Sequence, residues 1–326
     1  MIDFSQVNPG QAAIRLPGRL ATRARDVLSG KVEPVAARDA ATVMLLRPLP
    51  GPHPAGPGAG RGDARHGDAG HGEAGHGDAG HGEAGGERHG GLRVYMLRRR
   101  PSMAFAPGAY VFPGGSVDAR DADPGVGWAG PSAAEWGQRL DTPAELAGAL
   151  VCAAVRETFE ESGVLLAGPT PDTVVDRTSG GGWEEDRRAL LDGTLSLARL
   201  LRRRCLVLRT DLLRPWSRWI TPVTEERRYD TRFFAAALPA GQRARDVGGE
   251  ADQAAWVEPA EALAAAGRRE ISLLPPTAVT LGELRACGGM AAVLAAHRRM
   301  TPLMPEITLA GDAVWLTVPA GLEYPL

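Results

Sequence analysis

The stretch AAVRETFEESGVLLAG, residues 153 to 168, places three glutamates within five positions, with an arginine directly before them. On a helix, Glu157, Glu160 and Glu161 fall at positions i, i+3 and i+4, so their carboxylates share one face, with Cβ atoms about 5 to 6 Å apart. Like charges this close either raise one another's pKa or bind a cation. An all-oxygen set favours hard ions such as Mg²⁺ or Mn²⁺. An acidic, solvated helix face is the simpler alternative.

The residues around this stretch predict the helix that carries it. Thr142 followed by Pro143, with Glu145 three positions after Thr142, predicts a capping box with proline in the first turn. Gly163 predicts the C-terminal end of the helix. Arg156 lies one residue before Glu157 and four before Glu160, so it can pair with a carboxylate and orient it. Five apolar residues are predicted to face the core: Leu146, Leu150, Ala154, Val155 and Phe159.

Composition limits the class of protein. With 326 residues, 44% hydrophobic residues and a net charge of -2, the chain can form one large domain or two small ones. The near-neutral charge argues against nucleic-acid binding, which needs a basic surface. We find no apolar run of about 18 residues and no signal-peptide pattern, so we expect no membrane span and a cytoplasmic location. The cysteines, Cys152, Cys205 and Cys287, are interpreted as small buried hydrophobic residues without disulfide or zinc-site spacing.

Residues 48–91 are dominated by Gly, Ala, Pro, His, Asp and Glu, and residues 66–85 read HGDAG HGEAG HGDAG HGEAG. This segment contains too few apolar residues to pack, so we predict that it is disordered. Opportunistic Ni or Zn binding by its histidines is the alternative. It separates two apolar runs, ATVMLLRP (41–48) and LRVYMLRR (92–99), which are predicted to be neighbouring strands. A third apolar run, YVF, leads into Pro113-Gly114-Gly115, a turn whose bare backbone can approach a ligand.

The order of strand, Gly-Gly turn and helix, with RETFEESGV at 156–164, resembles the signature of the Nudix hydrolases. Thr158 departs mildly from that pattern, and the usual seven-residue spacer is replaced by residues 122–155. The signature starts at Gly115 and has its acidic residue six positions later, at Asp121. Three features together resemble the acyl-CoA diphosphatase branch of this family: the long insert, the turn sequence GAYVFPGG and the segment WSRWITPVTEERRYDTRFFAAALP (216–239).

The resemblance implies an α+β fold, the Nudix α/β/α sandwich with a mixed sheet. Residues 37–275 would form the Nudix domain, with the 48–91 insertion and a second insertion at 122–141 inside the signature. Residues 1–36 would be an N-terminal extension. Residues 276–326 would add two C-terminal helices, with His297 as a cation at the end of the second, and a hairpin turning at Gly311-Asp312.

By the same resemblance, Glu157, Glu160 and Glu161 would hold Mg²⁺ or Mn²⁺ together with the backbone carbonyl of Gly114, and Arg156 would orient Glu157. The general base would be Glu157 or another carboxylate. Glu250, six residues before Trp256, would be a ligand or base, with a plain loop residue as the equal alternative.

Three arginines are candidates for binding substrate phosphates, because the guanidinium group suits phosphate. Alternatively, Arg98 lies at a solvated strand end and binds no phosphate. The alternative for Arg227 and Arg228 is an ion pair with Glu225 or Glu226.

The function implied is metal-dependent hydrolysis of coenzyme A or an acyl-CoA to 4′-phosphopantetheine and 3′,5′-ADP. ADP-ribose or dinucleotide hydrolysis is the first alternative, and a non-catalytic Nudix-fold sensor is the second. The complete set of three glutamates favours an enzyme. The expected partner is a small-molecule diphosphate, without nucleic acid or membrane, and a homodimer stays open.

Overall fold

The computed structural model describes residues 13–49, 91–103, 106–245, 251–319 and 322. Glu250 and most of residues 48–91 lie outside these ranges. The prediction that residues 48–91 are disordered therefore also falls outside the described part of the chain. The strands are β1 (Ala13–Arg15), β2 (Arg38–Pro48), β3 (Leu92–Arg99), β4 (Ala109–Val111), β5 (Gly114–Ser116), β6 (Trp128–Ala129), β7 (Ala167–Gly168), β8 (Val207–Arg209), β9 (Arg214–Ile220), β10 (Tyr229–Ala237), β11 (Ala251–Val257), β12 (Ser272–Leu273), β13 (Pro302–Leu303), β14 (Glu306–Ala310) and β15 (Ala313–Thr317). The α-helices are α1 (Gly18–Leu28), α2 (Ala133–Leu140), α3 (Ala144–Ser162), α4 (Trp183–Leu191), α5 (Leu197–Arg203), α6 (Pro259–Gly267), α7 (Pro275–Cys287) and α8 (Met290–Ala295). Short 3₁₀ helices span Ala119–Ala122 and Thr210–Leu212.

A mixed nine-stranded sheet forms the centre, in the order β12-β4-β3-β2-β10-β9-β13, with β11 paired to β3 and β5 paired to β2. Strand β2 runs parallel to β10 and antiparallel to β3. Its C-terminal half pairs with β3, Leu46 opposite Val94, so the predicted pairing across the His-rich insertion is confirmed. Its N-terminal half pairs with β5, Thr42 opposite Gly114. The two halves of β2 thus place the Gly-Gly turn beside the centre of the sheet.

Both faces of the sheet are covered by helices. Side chains of β2 alternate between two cores, as the period of a strand requires. Val43 and Leu45 pack with residues of α2 and α3 on one face. Met44 and Leu46 pack with residues of α6, α7 and α8 on the other. A strand buried on both faces reads as a continuous apolar run, which is why ATVMLL shows no polar alternation. The predicted α+β sandwich with a mixed sheet is confirmed.

The N-terminal and C-terminal strands of the described chain meet in a separate three-stranded sheet. Strand β1 pairs with β15, Ile14 opposite Leu316, and β15 pairs with β14. Helix α1 buries Ala21 and Ala24 against this sheet. Residues before the central sheet therefore pack on the C-terminal hairpin, whose predicted turn at Gly311-Asp312 is confirmed because Ala310 pairs with Ala313.

The predicted capping box of α3 is wrong, and its predicted C-terminal end is confirmed. The N-cap is Pro143, whose extended ψ of 145° delays the helix by one residue, and no side chain caps it. The Thr142 N–H donates to the carbonyl of Gly137, 3.1 Å away, so this residue ends α2 rather than starting α3. At the other end, Gly163 has a φ of 71° and donates to the carbonyl of Phe159.

Two smaller predictions fail for local reasons. Helix α8 ends at Ala295, and Ala296 has an extended ψ of 133°, so His297 lies beyond the helix instead of at its last turn. Cys205 is exposed, in a left-handed conformation (φ 53°) after α5, although Cys152 is buried as expected. Within the described ranges, no helix combines the length and apolar composition needed to cross a membrane.

Candidate active site

Two glutamates of α3 reach the Gly-Gly turn. The N–H of Gly114 donates to Glu161 Oε2 at 2.8 Å. A Cβ placed on Gly115 would lie 2.4 Å from Glu157 Oε1, far inside contact distance. A Cβ on Gly114 would lie 2.5 Å from the Ala41 carbonyl oxygen. The turn therefore needs glycine at both positions, at 114 to pack on β2 and at 115 to leave room for the carboxylate.

Arg156 joins the acidic groups to one another. Its side chain is buried, and its Nε and Nη2 donate to the two carboxylate oxygens of Asp121 at 2.8 and 2.9 Å. Its Nη1 donates to Glu157 at 2.8 Å and approaches Glu160 at 3.3 Å. Its Nη2 also donates to the carbonyl of Ser116, in β5. One guanidinium thus orients Glu157 and ties α3 to both the 3₁₀ helix and the Gly-Gly turn.

The carboxylates carry more negative charge than Arg156 can neutralise. Burial, together with the nearby charge of Glu160, raises the pKa of Glu157 to about 7, although Arg156 lowers it. Burial also raises the pKa of Glu160, which is 5% exposed. Burial lowers the pKa of Arg156, yet the hydrogen bonds it donates to Asp121 and the charge of Glu157 leave that pKa above its ordinary value. The alternative of a solvated acidic helix face is therefore wrong.

The donor chemistry suits a divalent cation, although the side chains do not form a closed metal site. In the described part of the chain, no group of three or more His, Cys, Asp or Glu side chains is placed to hold a metal ion. The reason is visible in their partners: Glu157 and Glu160 turn to Arg156, and Glu161 turns to the Gly114 N–H. All candidate donors are oxygens, from the three glutamates and the Gly114 carbonyl, and the carboxylates of Glu157 and Glu161 meet at one turn, which fits a hard ion such as Mg²⁺ or Mn²⁺.

Two of the three predicted phosphate-binding arginines have other partners. Arg98 forms two hydrogen bonds of 2.7 Å with Asp252, at the start of β11. Arg228 donates to the carbonyls of Thr221, Pro222 and Val35, which fixes the β9–β10 connection. Arg227 is exposed in that connection.

Glu250 lies outside the described residues, but the ends of its loop are described. The Arg245 N–H donates to the carbonyl of Ser162, at the end of α3. Ala251 pairs with Arg99 of β3. The loop that carries Glu250 therefore begins at the end of the glutamate helix.

Sequence reasoning missed two residues that contact the end of α3. The side chain of Gln242 bonds both the N–H and the carbonyl of Leu165, directly after the helix. Arg187 of α4 donates to the carbonyl of Glu160. Neither residue belongs to a motif; the only available signal was that the last turn of α3 lacks a basic residue of its own.

Known proteins share both the sequence pattern and the fold. Residues 131–284 match the model of the NUDT19 Nudix domain. A crystal structure of a NUDIX hydrolase from Alicyclobacillus acidocaldarius superposes with a TM-score of 0.59 at 24% identity, over 82% of this chain and 99% of that one, which shows the same fold. With the acidic cluster of α3 at the Gly-Gly turn, the sequence match supports a Nudix hydrolase, an enzyme, as the class of this protein.

Within that family, the chain is similar to the acyl-coenzyme A diphosphatase branch. The acyl-coenzyme A diphosphatase NUDT19 of Xenopus laevis is 28% identical over 280 residues, 71% of each chain. The protein of the same name from Gallus gallus is 30% identical over 222 residues, 55% of this chain and 57% of that one.

Proposed function

We propose that this chain hydrolyses the diphosphate bond of coenzyme A or an acyl-CoA, releasing 3′,5′-ADP and 4′-phosphopantetheine or its acylated form. The single observation that supports this type of reaction is that Glu157 and Glu161 meet at the Gly114–Gly115 turn. Arg156 donates a hydrogen bond to Glu157 and is itself held by Asp121. Similarity to proteins named acyl-coenzyme A diphosphatase supports the substrate class.

The proposed cofactor is Mg²⁺ or Mn²⁺, held by Glu157, Glu160, Glu161 and the backbone carbonyl of Gly114. Once bound, a divalent cation neutralises negative charge on the phosphates and lowers the pKa of the attacking water. The site is acidic without it, because the buried Arg156 pairs with three carboxylates, those of Asp121, Glu157 and Glu160, and Glu161 adds a fourth at the Gly-Gly turn.

The residues of the chain perform the remaining tasks. The oxygen of a water molecule forms a bond to one phosphorus, the bridging P–O bond breaks, and the leaving phosphate takes the electron pair. Glu157 accepts the proton of that water, because Arg156 holds its carboxylate in one orientation beside Gly115. Glu250 is proposed as the second candidate for this proton transfer or as a further ligand.

Two of the three arginines suit an anionic substrate. Arg227 is exposed, and Arg98 can exchange Asp252, a partner at the surface, for a phosphate. Arg228 is the weakest of the three, because its donors serve backbone carbonyls. We place the reaction in the cytoplasm, as the sequence analysis expects.

The test is a substrate panel read by mass spectrometry of the products. Coenzyme A, an acyl-CoA, ADP-ribose and a diadenosine polyphosphate are incubated with the full chain and either Mg²⁺ or Mn²⁺. We expect 3′,5′-ADP and the phosphopantetheine product from the first two at the highest kcat/KM. Faster hydrolysis of ADP-ribose or the dinucleotide would replace the proposed substrate. Binding of coenzyme A with metal present and no product would indicate a sensor.

A further inference from the structure

The C-terminal end of α3 has an electrostatic problem that the helix does not solve by itself. The carboxyl end of a helix carries a partial negative charge and leaves its last carbonyls without intrahelical partners. Helix α3 has three glutamates in its last six residues and no basic residue in its last turn. Groups from other elements must therefore supply both the positive charge and the hydrogen-bond donors.

Arg187 of α4 supplies both at the residue in the middle of the acidic cluster. Its Nη1 donates to the backbone carbonyl of Glu160 at 2.7 Å, and the whole residue is 2% exposed. The neighbouring carbonyls of Phe159 and Ser162 accept from the N–H groups of Gly163 and Arg245. The carbonyl of Glu160 thus depends on a side chain from another helix.

Arg187 is itself held in place. Its Nη2 lies 2.6 Å from Glu184 Oε1, and its Nε also donates to the Glu184 carboxylate. The other carboxylate oxygen of Glu184 accepts from Arg245, 3.4 Å away, whose guanidinium lies directly against Gly163. Glu184 therefore connects the arginine at Glu160 with the loop that leads to Glu250.

Helix α4 is also fixed against α3 by packing. Trp183, its first residue, packs edge-on against Phe159 with ring centroids 6.0 Å apart. The guanidinium of Arg204 covers the same indole at 3.7 Å from its centroid. This packing fixes α4, and with it Arg187, beside the C-terminal end of α3.

We propose that Arg187 is a positioning residue for the metal-binding carboxylates, holding the backbone of Glu160 so that the side chains on that turn face the Gly-Gly turn. The inference rests on the proposed metal-dependent function. Arg187 contacts neither substrate nor metal in this scheme; it acts through the last turn of α3.

The experiment compares Arg187→Met and Arg187→Lys with the control Arg188→Met in the full chain. Arg188 is the adjacent arginine, pairs with the same Glu184 at 3.4 Å, and is exposed. Mn²⁺ affinity is measured by electron paramagnetic resonance on the substrate-free protein, and kcat, KM and Tm are measured in parallel. Removing a group that orients metal ligands typically weakens affinity or activity by roughly 10- to 100-fold. We expect that loss for Arg187→Met, with KM for coenzyme A unchanged, and a smaller loss for Arg187→Lys, which keeps the charge and one donor.

Glu184→Gln is the second variant, because Arg187→Met leaves the buried Glu160 carbonyl without its donor and removes one of the three arginines that pair with Glu184, which can prevent folding. The glutamine keeps the size of the side chain and loosens Arg187, so Mn²⁺ affinity should fall while Tm changes little. Wild-type Mn²⁺ affinity and kcat in folded Arg187→Met, or in Glu184→Gln if Arg187→Met does not fold, would overturn the inference. Absence of Mn²⁺ binding and hydrolysis in the wild type would instead overturn the proposed function.

Discussion

Glu157 and Gly115 lie so close that a methyl group on Gly115 would overlap the carboxylate: the added Cβ would be 2.4 Å from Oε1 and 2.6 Å from Cδ. The two residues are 42 positions apart in sequence, and the approach exists because β5 pairs with β2 beneath the C-terminal half of α3. The backbone of Gly115 is not in the left-handed region, so space rather than conformation demands glycine there.

The first prediction follows from this contact. Gly115→Ala should displace the Glu157 carboxylate and lower kcat by about 100-fold, the scale for misplacing a catalytic group by about 1 Å. Gly148→Ala in α3, the helix that carries Glu157, is the control, since its Cβ would meet only Ala133 at 3.6 Å. It should leave kcat unchanged and stabilise the fold by about 0.5 to 1 kcal/mol. Equal activity of the two variants, measured by product release, would contradict the assignment of Glu157.

The second prediction concerns the metal. The three glutamates of α3 lie close together, and a bound cation neutralises their charge and activates the attacking water, so EDTA should abolish hydrolysis and Mg²⁺ or Mn²⁺ should restore it. Metal at 100 times its Kd should also stabilise the folded chain by about 2.7 kcal/mol, which is visible as a rise in Tm. Undiminished turnover in excess chelator would remove the metal from the mechanism.

The third prediction concerns Glu161, which is half-buried and whose carboxylate accepts a hydrogen bond from the Gly114 N–H. Glu161→Gln keeps an acceptor for that N–H and removes one charge, so kcat should fall by roughly 10²- to 10³-fold with little change in Tm. Glu145→Gln, at an exposed position in the first turn of α3, should have wild-type kcat. A Glu161→Gln enzyme as fast as this control would exclude Glu161 from the metal site.

The fourth prediction separates stability from activity at Asp121. This buried carboxylate holds Arg156 with two hydrogen bonds, and breaking a buried pair costs about 3 to 5 kcal/mol because a charge is left unpaired. Asp121→Asn should lower the free energy of unfolding on that scale and also lower kcat, since Arg156 then orients Glu157 less well. Asp123→Asn removes a partly exposed carboxylate 3.3 Å from Arg202, and should lower the free energy of unfolding in urea much less. Similar costs for the two would show that Arg156 is held by other contacts.

The fifth prediction concerns the His-rich insertion, whose composition predicts no contribution to a core. The N–H of Leu49 donates to the carbonyl of Gly91 at 2.8 Å, so a short turn can close the gap left by deleting residues 52–90. The deletion should leave Tm and kcat nearly unchanged, as should replacement by a Gly/Ser linker of equal length. A loss of several degrees in the deletion alone would show that the segment packs on the fold.

The acidic helix was predictable because its determinants are local. The spacing of Glu157, Glu160 and Glu161 defines one face of a helix whatever surrounds it, and Gly163 ends the helix through its own backbone freedom. The strands on either side of the His-rich insertion were predictable for the same reason, since their apolar composition is a property of each segment. The predicted capping box of α3 was wrong because Thr142 closes α2 before α3 begins.

The sequence by itself determined the acidic helix, the strands that flank the His-rich insertion and the Gly-Gly turn ahead of that helix. Only the tertiary structure decided how the carboxylate cluster is buried and held. Asp121 and Arg156 are 35 positions apart, and Arg187 lies 27 positions beyond Glu160. Such contacts depend on how helices pack over the sheet, which no local pattern specifies. The same applies to Arg228, whose position in the sequence suggested a phosphate ligand and whose donors instead serve three backbone carbonyls. Partner choice follows from packing, because a buried guanidinium bonds whichever acceptors the fold brings within reach.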